Sequence, residues 1–274
     1  MTISWQRVSA ATLKTILPTA SGVYWQADAA TFTLEIPDYA RFWVRAGTIR
    51  YACLGDLGDA TVRLFGGGLP AAAAWVQKGY LALHAAAVAT PDGVVLFAGS
   101  SASGKSTLAA AMAQRGYPVL ADEVAPLCLA GTAPLAIDAT SNCSVLLWQD
   151  AIIKLDLDPA DYTPLRYGLP RYIVNGLGIP CVSSLRTDVR AIYLLNLHND
   201  PPILQMQLDG SRRVLAITNA SFNRYLPQSP DFRQRTFLQL AVKLADVPTY
   251  RLVRPRAGWS ISELADRVLE DITV

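Results

Sequence analysis

Residues 99–106 have the sequence Gly99-Ser100-Ser101-Ala102-Ser103-Gly104-Lys105-Ser106, which matches the phosphate-binding loop pattern G-x-x-x-x-G-K-[S/T] in full. The residues before it, 94–98, are apolar and mostly β-branched or aromatic, which predicts a buried strand. The residues after it, 107–115, are strong helix formers and are followed by Gly116, which predicts a helix that ends there. This strand-loop-helix context is the one in which the motif binds phosphate, and it predicts a nucleotide-binding α/β core.

The residue types within the loop define the contacts expected there. The two glycines let backbone amides turn toward phosphate oxygens, and the N-terminus of the following helix adds further donors. Lys105 is expected to neutralise the terminal phosphates, and the Ser106 hydroxyl is placed to bind Mg²⁺. We therefore expect ATP and Mg²⁺ as cofactors. The expected nucleotide contacts are Gly99, Ser101, Ala102, Ser103, Gly104, Lys105, Ser106 and Thr107. The alternative is a Gly/Ser-rich turn that binds nothing, in which a buried lysine without an anion would be costly.

Two consecutive carboxylates, Asp122 and Glu123, follow residues 117–121, which are expected to form the next strand. Ligands of open α/β sheets gather at the carboxyl ends of the strands, so this pair is expected to face the nucleotide. One carboxylate would bind Mg²⁺, and the other would accept the proton of a hydroxyl that is phosphorylated. The sequence leaves open which residue has which role. A solvated acidic pair at the start of a turn is the structural alternative.

A hairpin is expected just before the loop. The turn Thr90-Pro91-Asp92-Gly93 fits a type I turn between two apolar runs, which predicts antiparallel strands. If Ala89 faces Val94 across the turn, His84 lies opposite Gly99 at the mouth of the loop. A lone histidine is often a structural residue, but this register places its imidazole close to the phosphates.

The rest of the chain is divided into two parts by its composition. Short β-prone runs at 32–36, 41–45, 48–52 and 61–65 predict a small antiparallel sheet, and an Ala-rich helix is expected at 69–78. We place a boundary between an N-terminal β-rich region, 1–79, and an α/β domain, 80–274. Residues 189–195 are expected to form another core strand, and Arg171 is a candidate phosphate contact. The region after residue 220 carries arginines that could bind an acidic peptide or ATP phosphates: Arg224, Arg233, Arg235, Arg251, Arg254 and Arg256.

The composition of the 274 residues limits the function classes. With 51% apolar and 17% charged residues the chain is expected to be globular. Apolar surface that stays exposed after folding favours self-association, so a homo-oligomer is one of the expected arrangements. A net charge of +2 gives no sequence-wide attraction to nucleic acid or to anionic membranes. The four cysteines are widely spaced, and no secretion signal or membrane span is recognisable. We therefore expect a cytoplasmic protein with reduced thiols.

Three segments together resemble a known family: Leu83-His84, the loop at 99–106, and the run 115–123 that ends in Asp122-Glu123. They are similar to the catalytic core of HPr kinase/phosphorylase and its serine-kinase-like relatives, including kinases found with lasso-peptide biosynthesis. The resemblance covers about residues 80–130. It implies a fold shared with phosphoenolpyruvate carboxykinase, with a mixed sheet, and ATP-dependent phosphoryl transfer to a serine of a protein or peptide. It also implies that His84 is the active-site histidine, Lys105 and Ser106 the phosphate and metal contacts, and Asp122 the catalytic aspartate.

The chain departs from that family at two places. Glu123 stands where the family has a second aspartate, and Ile173-Val174-Asn175 stands where an acidic residue is expected before the turn Gly176-Leu177-Gly178-Ile179. Glu123 is nevertheless expected near the metal, beside Asp122 and Ser106. The departures weaken the phosphorylase activity and HPr itself as substrate, so a peptide or small-protein acceptor is favoured. A small-molecule kinase and a non-catalytic ATP-binding regulatory module are the alternatives.

Overall fold

The computed structural model describes residues 2–138, 144–166, 168–177, 186–199, 202–228 and 230–273. Within these ranges the chain forms three β-sheets and seven α-helices. The strands are β1 Ser4–Arg7, β2 Ala20–Ser21, β3 Trp25–Ala27, β4 Thr31–Ile36, β5 Ala40–Arg45, β6 Thr48–Cys53, β7 Leu81–Thr90, β8 Gly93–Gly99, β9 Val119–Ala121, β10 Val124–Cys128, β11 Ala136–Asp138, β12 Ser144–Trp148, β13 Thr163–Pro164, β14 Arg171–Asn175, β15 Arg186–His198, β16 Leu204–Gln207 and β17 Thr249–Pro255. The helices are α1 Asp59–Gly66, α2 Leu69–Gln77, α3 Lys105–Gln114, α4 Gln149–Lys154, α5 Gly210–Asn219, α6 Pro230–Lys243 and α7 Ile261–Thr273.

The N-terminal sheet has the strand order β1-β6-β5-β4-β3-β2 and is antiparallel except for the pair β1–β6. Strands β4, β5 and β6 confirm three of the four predicted runs, and α2 confirms the Ala-rich helix. The strand predicted at 61–65 is wrong, because these residues belong to α1. Their β-branched and aromatic content favoured a strand, but the two buried residues are Val62 and Gly66, four apart on one helix face. At Gly66 an added Cβ would lie 2.7 Å from the Phe42 ring, so this helix packs tightly on the sheet.

The larger sheet is mixed and has the order β11-β10-β7-β8-β15-β17-β16, with β9 paired to β7. Strands β8, β15 and β17 are parallel neighbours, whereas β7 is antiparallel to β8 and to β9. The carboxyl ends of β8, β9, β15 and β17 therefore lie toward the same edge. The predicted hairpin and its register are confirmed, since Ala89 faces Val94 and Ala85 faces Ala98. Residues 189–195 form part of β15, as predicted.

Alternating side chains of the larger sheet form two hydrophobic cores. Phe97 and Tyr193 pack on one side with α3 and α7, while Leu96 and Ile192 pack on the other side with α5 and α6. The small sheet β12-β14-β13 extends the first of these layers. A third core places α2 between the N-terminal sheet and residues such as Val124 and Phe222. The boundary between 1–79 and 80–274 stays a prediction.

Other sequence expectations are met only in part. Cys53 and Cys128 are free thiols, and Cys143 and Cys181 lie outside the described residues. The turn expected at 176–179 also leaves the described range after Leu177. Among the helices described, none combines the length and apolar character needed to cross a bilayer.

Candidate functional site

The loop at 99–106 joins β8 to α3 and is shaped by its two glycines. Gly99 has φ +148°, and a Cβ there would lie 2.6 Å from the carbonyl oxygen of Leu195 in the adjacent strand. Gly104 has φ +105° and immediately precedes the first helical residue, Lys105. Both positions therefore require glycine. The backbone brings the loop to the N-terminus of α3, where unpaired amides and the helix dipole favour an anion.

The side chain of Lys105 lies back along the loop. Its Nζ donates to the carbonyl oxygens of Gly99 (3.2 Å) and Ser100 (2.9 Å), and the residue is only 5% exposed. Burial lowers the pKa of this ammonium group below its ordinary value. Lys105 is thus a buried cation held by neutral carbonyl oxygens, at the place where the motif puts the terminal phosphates.

Asp122 follows β9 and meets the start of α3. Ser106 Oγ donates to Asp122 Oδ1 at 2.8 Å, and the Leu146 amide donates to Asp122 Oδ2 at 3.2 Å. The residue is 8% exposed. Burial, followed by the charge of Glu123, raises the pKa of this carboxyl to about 6. A hydroxyl and a carboxylate, both hard oxygen donors, are therefore side by side next to the loop.

Glu123 is adjacent in sequence but has different partners. Its backbone is left-handed, with φ +78°, and its carboxylate oxygens contact Arg171 Nη2 at 3.0 Å and His84 Nε2 at 3.4 Å. The hydrogen bond with His84 is the main reason why the pKa of Glu123 falls to about 2, against the opposing effect of burial. The acidic pair thus lies at the predicted edge, but its two side chains diverge.

His84 lies where the hairpin register predicts, one residue beyond the Ala85–Ala98 pair. Its ring centroid is 4.9 Å from that of Phe222, and Glu123 provides its charged partner. Arg171 binds Glu123 and lies over the Trp148 ring at 5.7 Å, and its expected contact with a phosphate stays a prediction. His84, Glu123 and Arg171 thus form a group of interacting side chains beside the loop.

Arg254 is one of the six arginines that the sequence offers as contacts for an acidic peptide or ATP phosphates, and the structure brings it to the loop. It lies near the end of β17, and its Nε donates to the Ser103 carbonyl oxygen at 3.1 Å. Its guanidinium nitrogens are 3.1 and 3.4 Å from the position that a Cβ on Gly104 would occupy. Burial lowers the pKa of Arg254, and no carboxylate in the described part of the chain pairs with it. Its place beside the loop depends on the parallel pairing of β17 with β15, for which the local sequence gives no signal.

A cavity of about 560 Å³ opens beside the first half of the loop. It is bordered by Gly99, Ser100, Ser101 and His84 on the loop side. Of the other predicted contacts, Ala102 is exposed at the loop tip and Thr107 is half-buried in the first turn of α3. Their contacts with a nucleotide stay predictions.

The residues present fit a phosphate-bound divalent cation. Among the described residues no group of three or more His, Cys, Asp or Glu side chains could hold a metal ion by itself. Mg²⁺ usually takes one or two protein oxygens and completes its shell with substrate phosphates and water. Ser106 and Asp122 supply such a pair of oxygens beside the anion site.

Comparison with known proteins gives several matches, all among solved structures. No protein-family model matches the chain, and no curated protein matches it in sequence. Among solved structures, an HPr(Ser) kinase/phosphatase from Coxiella burnetii is similar with a TM-score of 0.38 and 15% identity, over 70% of this chain and 95% of that chain. The chemistry of the site therefore has to be argued from its own residues.

Proposed function

We propose that the chain is an ATP- and Mg²⁺-dependent kinase that transfers the γ-phosphoryl group to a serine hydroxyl of a peptide or small protein. The observation that carries this proposal is the Ser106–Asp122 hydrogen bond at the start of α3, next to buried Lys105. A phosphate loop alone supports nucleotide binding, whereas the loop together with a hydroxyl–carboxylate pair supports metal-assisted phosphoryl transfer.

The roles of the residues follow from their contacts. Lys105 would exchange the carbonyl oxygens of Gly99 and Ser100 for phosphate oxygens, which are stronger partners for an ammonium group. The amides at the start of α3 would hold the other phosphates. When bound, Mg²⁺ supplies charge neutralisation at the phosphate oxygens, and Ser106 and Asp122 would hold it.

Glu123 and His84 act beside this centre. Glu123, expected near the metal, is ionised and has both carboxylate oxygens directed to His84 and Arg171. We assign it to positioning His84 at the loop. Acceptance of the hydroxyl proton by Asp122 stays a prediction.

Nucleotide binding and phosphoryl transfer to a mixed peptide library test this proposal. Lys105→Ala is expected to reduce transfer at least about a hundredfold, because it removes a charge that stabilises the transferring group. Ser106→Ala is expected to shift the Mg²⁺ requirement to higher concentration. Lys154→Ala is the matched control, since Lys154 is an exposed lysine on α4, far along the chain from the loop. Full transfer by Lys105→Ala would refute the proposal.

The regulatory alternative is distinguished by Asp122→Asn. For a kinase this substitution is expected to cripple transfer, whereas an ATP-binding module without chemistry would keep its function. Free serine and small hydroxylated metabolites, offered in place of peptides, test the small-molecule alternative.

A further inference from the structure

The cavity beside the loop lies at the end where the terminal phosphate is expected. In this motif the lysine reaches the terminal phosphates, and here Lys105 Nζ lies on Gly99 and Ser100. The cavity is bordered by the same two residues and by Ser101. Arg254 lies at the other half of the loop, beside Ser103 and Gly104. The cavity therefore gives an acceptor hydroxyl a route to the terminal phosphate.

The lining of this cavity has an apolar part and a polar part. Trp25, Leu69 and Phe222 provide apolar surface, while Asn196, Asn219 and Arg251 provide donors. Arg251 is exposed and makes no ion pair with any carboxylate in the described ranges. Such a lining complements a ligand that carries an apolar group and an acidic group close to its hydroxyl.

A second cavity, of about 430 Å³, adjoins the first at Trp25, which lines both. It lies on the N-terminal sheet and is bordered by Val23 and Tyr24, which are 87% and 58% exposed. Large apolar side chains exposed together commonly mark a binding surface. The two cavities, with Trp25 bordering both, are together called the groove; an extended peptide can occupy both cavities, whereas a free amino acid needs only one.

We propose that this groove is the acceptor site: a peptide places its serine at Gly99–Ser101, an acidic residue near Arg251, and its apolar residues along Trp25 and Tyr24. The proposal rests on the proposed kinase function and deepens it. It implies that the N-terminal region contacts the substrate through Trp25 of β3 and so contributes to substrate specificity.

The test uses seven-residue peptides with a central serine, labelled with fluorescein. The first design places the serine between Leu-Phe and Asp-Glu and is made in both orders, with Leu-Phe before or after the serine. In the second design lysines replace Asp and Glu. In the third design glycines replace Leu and Phe. A tripeptide with only one residue on each side of the serine completes the set. Binding is measured by anisotropy and transfer by incorporation of the γ-phosphoryl group, with KM and kcat obtained separately.

Two substitutions probe the two cavities. Arg251→Glu is expected to raise the KM of the acidic peptide about tenfold and to lower that of the lysine peptide, since charge complementarity is reversed. Tyr24→Ala is expected to raise the KM of the seven-residue peptide several-fold and to leave that of the tripeptide unchanged. The matched controls are Arg45→Glu, at an exposed residue of β5, and Val242→Ala, at an exposed residue of α6, both outside the two cavities.

The outcomes separate this inference from the function on which it rests. Failure of the wild-type protein to bind ATP would overturn the proposed function. Transfer to peptides that is indifferent to Arg251→Glu and Tyr24→Ala would overturn only the groove. ATP binding with neither binding nor phosphorylation of any of these peptides would also overturn the groove.

Discussion

Asp122→Asn should make the nucleotide-free protein more stable at neutral pH, even though it removes a residue of the candidate site. The wild-type carboxyl is buried and close to Glu123, and these surroundings raise its pKa from 3.8 to about 6. A raised pKa means that the folded protein disfavours the ionised form. An asparagine fits the same space and has no charge to bury.

The sign and size of the effect follow from proton linkage. Between about pH 4 and pH 6 the folded protein holds a proton on Asp122 that the unfolded chain has released, so the stability of the wild type falls as pH rises through this window. A shift of about two pKa units corresponds to roughly 3 kcal/mol. The loss is complete above pH 6 and absent below pH 4. Because the asparagine loses part of the hydrogen bonding with Ser106 or Leu146, worth about 1 kcal/mol, the expected net gain is roughly 2 kcal/mol.

Urea denaturation of both proteins with EDTA, at pH 4.5, 6.0 and 7.5, measures this difference. The variant should be more stable at pH 7.5 and equal to or slightly less stable than the wild type at pH 4.5. Asp150→Asn, at a carboxylate with 73% of its side chain exposed, is the control and should show no such trend. A difference between Asp122→Asn and wild type that is the same at all three pH values would refute the reasoning.

Three further predictions concern the loop and the core. Gly99→Ala should lower the free energy of unfolding by roughly 3 kcal/mol, because the added Cβ both strains the backbone at positive φ and contacts the next strand. Gly116→Ala should lower it by about 1 kcal/mol, because φ is also positive there but the space around the Cβ is open. Urea denaturation of both variants separates the backbone strain from the contact. Arg254→Ala should weaken ATP binding about tenfold by calorimetry, while Arg45→Ala, at an exposed residue of β5, should not; equal affinities would contradict a role for Arg254 at the loop. Tyr193→Phe should cost about 1 kcal/mol, because it removes the 2.8 Å hydrogen bond from the Tyr193 hydroxyl to Asp271 of α7 and leaves that carboxylate oxygen with the hydrogen bond from Gln205; an unchanged urea midpoint would contradict this.

The parts of the fold that could be predicted are those that local chemistry decides. The loop motif, its flanking strand and helix, and the hairpin register depend on residues close together in sequence, such as the pair Ala89 and Val94. The turn at 90–93 sets that register, and the register places His84. The larger sheet is mixed, as the resemblance implied, with parallel and antiparallel pairs side by side.

What could not be predicted depends on contacts between distant segments. Residues 61–65 have strand composition, yet α1 forms because Val62 and Gly66 pack on the N-terminal sheet. Arg254 reaches the loop only because β17 is the parallel neighbour of β15, a pairing with no signal in the local sequence. Glu123 has a left-handed backbone and contacts His84 and Arg171, which the sequence does not predict, while its expected place near the metal stays a prediction.

The charged groups around the loop are unfavourable in the ligand-free protein, and the ligand proposed for the site would explain why they are there. Burial lowers the pKa of both Lys105 and Arg254 and raises that of Asp122, so each is less stable in its charged form than it would be in water. Lys105 is buried and Arg254 is half-buried, and in the described part of the chain both donate to carbonyl oxygens, so neither is hydrogen-bonded to a group with negative charge. A polyphosphate would supply that charge, and a divalent cation would do the same for Asp122. The charges that are unfavourable in the ligand-free site are thus those that the proposed ligand would neutralise. The same groups would destabilise the free protein and stabilise the complex.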